Sequence, residues 1–158
     1  MNKKYLALIS RIEEEISEID KLTKKIIEAW GQAQKNNDSY YLDSVALNLH
    51  GFYSAIERIF ELIARDIDEN FPRGSSWHRD LLIQMKTEIK KVRPAVISRS
   101  TYQQLDEYRG FRHVVRNVYT FNLSEKRIQP LVDDLQETYS GLKEELEVFI
   151  NFIETAAD

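Results

Sequence analysis

From Tyr5 to Trp30 the apolar residues Ile9, Ile12, Ile16, Ile19, Ile26 and Trp30 return in steps dominated by three and four positions, the period of one face of an α-helix. A stripe of this kind must be covered by another element, so the chain is committed to helix packing from its first residues. Glu13, Glu14, Glu15, Lys24 and Lys25 lie between the apolar positions and read as the solvated face. The polar break "QKNNDS" ends this helix, with Asp38 or Ser39 placed to cap the next. A second helix is expected over Tyr40 to Asp68, with Leu42, Val45, Leu49, Phe52, Tyr53, Ile56, Ile59, Phe60, Ile63 and Ile67 on a broad buried face. Along it, Glu57 beside Arg58 and Glu61 four residues before Arg65 read as surface pairs.

The loop "ENFPRGSS" follows, and Ser75 or Ser76 can cap a short helix from Trp77 to about Lys91, which Pro94 stops. Ser100 with Gln103 three residues later has the form of a capping box and opens a fourth helix reaching about Phe121. After "NLSEKRIQP" a last helix runs from Pro130, a residue tolerated in a first turn, to Glu154, with Leu131, Leu135, Leu142, Leu146, Phe149 and Ile153 inward. The expectation is an all-α antiparallel bundle of about five helices in one domain spanning all 158 residues. Only 5 Gly and 3 Pro agree with that, since a turn-rich β chain needs more.

The absence of Cys excludes a disulfide framework, a thiolate zinc site and a cysteine nucleophile. Arg11 interrupts the first apolar patch well short of a signal-peptide core, and no apolar run approaches the roughly 18 residues of a membrane span. The expectation is a soluble cytoplasmic protein with no membrane contact.

Against a formal net charge of -4, the stretch "YRGFRHVVRNVYTFNL" places Arg109, Arg112 and Arg116 around His113 with no acid among them. At about 100° per residue, Phe111, Val114, Val115 and Val118 fall on one side. Arg109, His113, Arg116 and Thr120 fall opposite, with Arg112 and Tyr119 on one flank and Asn117 on the other. Guanidinium groups present forked donors that match phosphate oxygens. An imidazole moves protons near neutral pH. Together they suffice to cleave a phosphodiester through the 2′-hydroxyl of RNA without a metal. The spacing is equally that of an exposed face whose arginines pair with carboxylates on neighbouring helices.

"FRHVVRNVY" resembles the signature of the HEPN superfamily, in particular its HepT-like branch, and "LNLHGFYSAIERIFELIA" and "SSWHRDLLIQM" are similar to the segments that precede that signature. The resemblance covers nearly the whole chain. It implies a HEPN-type helical bundle that forms a homodimer, with two motif helices around one composite active site. It also implies a metal-independent endoribonuclease acting as the toxin of a toxin–antitoxin system, held in check by a minimal nucleotidyltransferase antitoxin. On this resemblance Arg112 is the motif arginine that neutralises phosphate, His113 the polar residue after it, and Tyr119 the tyrosine open to AMPylation by the partner. Arg109 and Arg116 would add phosphate and RNA binding.

Asn117 stands where the family's catalytic histidine is expected, and an amide does not exchange protons at neutral pH. Either His113 takes over the acid/base role within the group Arg112, His113 and Asn117, or the chain is a non-catalytic RNA- or nucleotide-binding module, a partner for the nucleotidyltransferase. His50, among apolar residues of the second helix, reads as a core histidine, and His78 as a packing or capping residue of the third. Arg73, Lys126 and Arg127 could widen a basic RNA surface, and Tyr102 and Tyr108 could stack on bases. No histidine or carboxylate pair has metal-ligand spacing and no phosphate loop is present, so neither metal nor cofactor is expected.

Overall fold

The computed structural model describes residues 2–117 and 124–157. Within them the chain is all-α: α1 (Lys3–Asn36), α2 (Ser39–Ile63), α3 (Trp77–Lys86), α4 (Arg99–Asn117) and α5 (Glu125–Ala157). Among the described residues, no helix is long and apolar enough to cross a membrane. The long helix α1 packs along α2 and α5, and α4 lies against α2, α3 and α5. The stripe of α1 supplies Ile12, Ile19 and Ile26, all fully buried, against Phe52, Ile56, Ile59, Phe60 and Ile63 of α2. From α5, Leu135, Leu142, Leu146 and Ile153 complete the core.

The turn between α1 and α2 is short because two adjacent residues solve both helix ends. Asn37 takes the left-handed conformation at φ 49° that closes α1, and Asp38 then accepts a hydrogen bond from the Tyr40 backbone N–H at 2.9 Å. Of the two expected caps, Asp38 is the one used.

Three boundaries differ from the sequence expectation, each for a local reason. First, α3 stops at Lys86, not near Lys91. The guanidinium of Arg93 folds back to donate to the carbonyls of Gln84 at 3.1 Å and Thr87 at 2.9 Å, closing the helix end eight residues before Pro94. Second, α5 begins at Glu125 and carries Pro130 inside it. Pro130 removes one donor from the helix ladder, but it and Lys126 are exposed, so water can serve the carbonyl left over.

Third, the cap of α4 is Ser98, not Ser100. Ser98 Oγ accepts from the Thr101 N–H at 3.1 Å, and the Glu145 side chain of α5 accepts from the Ser98 N–H at 2.9 Å. Glu145 thus does from another helix what Gln103 was expected to do within α4, and it also accepts from the Thr101 hydroxyl. Ser98→Ala removes both the cap and one contact to α5. It should lower the unfolding free energy by about 1–2 kcal/mol, read as a fall in Tm of a few degrees in a thermal melt.

The rotation of α4 is fixed by aromatic packing. Phe52 of α2 meets Tyr108 of α4 edge-on, with ring centres 5.3 Å apart, and Tyr139 of α5 at 6.1 Å. Tyr108 Oη donates to the Leu131 carbonyl at 2.6 Å, and Tyr139 Oη to that of Ile16 at 3.1 Å. Burial pushes both phenol pKa values up, so these tyrosines remain neutral donors. With Tyr108 and Phe111 buried, the residues between and after them on α4 are presented to α3.

Candidate functional site

Glu57 interrupts the apolar face of α2: Tyr53 lies one turn before it, Ile56 and Phe60 flank it, and its side chain is only 5% exposed. A carboxylate removed from water this far needs charged or hydrogen-bonding partners. It has two. Arg112 Nη1 of α4 donates to Oε1 at 3.0 Å, and His78 Nδ1 of α3 lies 2.7 Å from Oε2. The expected surface pair with Arg58 does not form, because Arg58 turns the other way and binds Glu15 of α1 through two contacts of 3.1 and 3.3 Å. Arg65, for its part, lies over the Phe71 ring at 4.4 Å.

His78 Nδ1 is also 2.8 Å from Arg112 Nη1. One ring nitrogen cannot donate to Glu57 and accept from Arg112 at once. A proton on Nδ1 serves Glu57 and leaves Arg112 facing a second donor, whereas a bare Nδ1 accepts from Arg112 and meets the carboxylate with no proton between them. Trp77 stacks on the His78 ring, with centres 3.6 Å apart and planes inclined by 30°, and Phe71 packs on Trp77 in turn. The imidazole is held in plane.

One turn further along α2, the Glu61 carboxyl is held above the ordinary carboxylate range, by burial first and by the neighbouring Glu57 second. Tyr53 is likewise pushed up by burial and then by Glu57.

The far side of the Glu57, His78 and Arg112 cluster opens into a pocket of about 210 Å³ lined by Ser75, Ser76, His78, Arg79, Arg109, Arg112 and His113. The loop before α3 and the first residues of α3 form one wall, and α4 forms the other. Arg109 is steadied by Asp106, with Nε 2.8 Å from Oδ1. Three guanidinium groups stand against two carboxylates here, so the pocket carries about one net positive charge before either histidine is protonated. Phosphate oxygens suit such a wall.

Among the residues singled out in the sequence, Arg109, Arg112 and His113 come together on this pocket. Arg116 and Asn117 lie in the last turn of α4, and their side chains lie outside the described residues, as do Val118, Tyr119, Thr120 and Phe121. His50 is partly buried on α2, and Tyr108 is buried in the core and does not line this pocket. Sequence reasoning missed Glu57 as a site residue and read His78 as a packing or capping residue. The signal for the first was available: an acid at a core position of an apolar helix face requires a cation from elsewhere in the fold. Among the described residues, no three His, Asp or Glu side chains converge as metal donors.

No curated protein and no solved structure matches this sequence. The model of one protein family, described as HepT-like protein, matches residues 44–153. That range contains most of α2 and α5 and the whole of α3 and α4, including every residue that lines the pocket, and the chain belongs to the HepT-like proteins of the HEPN superfamily.

Proposed function

We infer that this protein is the ribonuclease toxin of a toxin–antitoxin pair, a metal-independent endoribonuclease that works as a homodimer and is silenced by a minimal nucleotidyltransferase. The observation that carries the reading is the pocket on which Arg79, Arg109 and Arg112 meet His78 and His113. Guanidinium groups hold and neutralise the scissile phosphate, and His113 exchanges the proton of the attacking 2′-hydroxyl in place of the amide at Asn117. Arg116 matches a phosphate-binding position of the family by its place in the motif. AMP placed on Tyr119 by the partner would add bulk and negative charge that oppose RNA binding.

Purified protein should digest a mixed RNA pool in the presence of EDTA, and His113→Ala should lower the rate about 100-fold. Intact RNA, under conditions in which a family nuclease digests it, would remove this reading.

One observation favours a second reading. Arg112 already has a buried counterion in Glu57, and Asn117 cannot move protons; both suit a module that binds RNA or nucleotide, or docks the nucleotidyltransferase, without cleaving. Tight RNA binding by a protein that leaves the strand intact would select it.

A further inference from the structure

We propose that His78 is a second proton-exchanging side chain of the RNA site, acting through Nε2, and that Glu57 is the positioning residue that fixes its tautomer. This deepens the nuclease reading and rests on it. Cleavage through the 2′-hydroxyl needs two proton movements. A base removes the 2′-hydroxyl proton as that oxygen bonds to phosphorus, and an acid delivers a proton to the 5′-oxygen as the bond from phosphorus to that oxygen breaks. The products are a 2′,3′-cyclic phosphate and a 5′-hydroxyl. The proton count balances with no added co-reactant. With Asn117 in the motif, α4 brings one imidazole, His113, and a second proton-exchanging group must come from elsewhere.

His78 has the placement for it. Its Nδ1 is occupied by Glu57 at 2.7 Å and Arg112 at 2.8 Å, so exchange with a ligand falls to Nε2 on the other side of the ring. Its ring is clamped by Trp77, which is the preorganisation that proton transfer at a fixed position requires. The side chain is 25% exposed and lines the same pocket as His113, Arg109 and Arg112. A counterion serving Glu57 alone would gain nothing from reaching that pocket, since Arg112 already supplies the buried carboxylate with a full positive charge. The arrangement of carboxylate, Nδ1–H and outward Nε2 is the one in which a second group sets both the tautomer and the aim of an imidazole.

The test is His78→Asn in the full-length protein. The asparagine amide nitrogen takes the place of Nδ1 and can still donate to Glu57, so the buried carboxylate keeps two partners while Nε2 is lost. The expected result is a Tm close to that of the parent, a KM for a short fluorescent RNA within about threefold, and a kcat about 100-fold lower. Cleavage within threefold of the parent would overturn the proposal. Nitrogen-15 spectra of the histidine rings supply a readout that does not depend on turnover. In its neutral form His78 should show protonated Nδ1 and bare Nε2, and its ring signals should move saturably as uridine 3′-monophosphate is added. If the parent protein does not cleave RNA, the nuclease reading fails and the proton-exchange role of His78 falls with it; a parent that cleaves beside an equally active His78→Asn variant overturns this proposal alone. The opposite tautomer, or ring signals unmoved by the nucleotide, would overturn it.

Discussion

Arg93→Ala is expected to lower the unfolding free energy by about 3–5 kcal/mol, the largest stability loss of any single substitution considered for this fold. At its end α2 widens into a π turn, Ala64–Asp68, and the last residue of that turn meets Arg93 from the loop after α3. Both side chains are fully buried. Arg93 Nε lies 2.5 Å from Asp68 Oδ1 and Nη2 lies 2.8 Å from Oδ2, a two-pronged pair. The remaining donors go to the carbonyls of Gln84, Thr87 and Pro94, and Gln84 Nε2 adds a third contact to Asp68 at 2.8 Å. One guanidinium thus ends α3, closes the loop to α4 and fastens both to α2. Truncating it leaves the Asp68 carboxylate buried with only an amide for company.

Urea titration of the parent and variant reads this directly. The double substitution Arg93→Met with Asp68→Leu serves as the control: it should recover most of the loss, because removing both charges also removes the cost of burying them. A loss below 1 kcal/mol in the single variant would mean that the loop rearranges to hydrate Asp68.

Arg112→Ala is expected to reduce RNA cleavage by about a thousandfold, or about 4 kcal/mol of transition-state stabilisation. Two roles converge on this residue. Towards the core it neutralises Glu57, and towards the pocket it stands beside His78 and His113. Its Nε is buried without a partner among the described residues, a cost that a purely structural arginine would be free to avoid and that functional sites commonly carry. The substitution also leaves Glu57 dependent on His78, so some stability is lost with the activity. Rates are therefore to be compared well below the Tm of the variant. Arg112→Lys keeps the charge but offers no planar fork, and should restore folding more fully than cleavage. Unchanged cleavage in Arg112→Ala would reduce the residue to a counterion for Glu57.

The helix stripes were legible because burial repeats with the helical period over long stretches: Ile12 to Ile26, Val45 to Ile63 and Leu131 to Ile153 were each assigned to the faces they occupy. Helix ends were less so. Ser98, Arg93 and the π turn at Asp68 are settled by partners far along the chain, in the first case Glu145 of α5, and no local pattern carries that information. The site divides in the same way. Arg109, Arg112 and His113 lie on one helix and could be read from spacing, whereas the Glu57 and His78 halves arrive from α2 and α3 and become partners only through packing. In the fold, Asp106 of the same helix answers Arg109 and Glu57 of α2 answers Arg112.

The central claim is that this pocket turns the 2′-hydroxyl of RNA against its own backbone without a metal. The most direct measurement is the chemistry of the ends left when purified protein is incubated with a defined RNA in EDTA. Fragments ending in 2′,3′-cyclic phosphate paired with 5′-hydroxyl ends are expected, and none when Arg112 is replaced by alanine. RNA that stays full length, or fragments bearing 5′-phosphates, would contradict it.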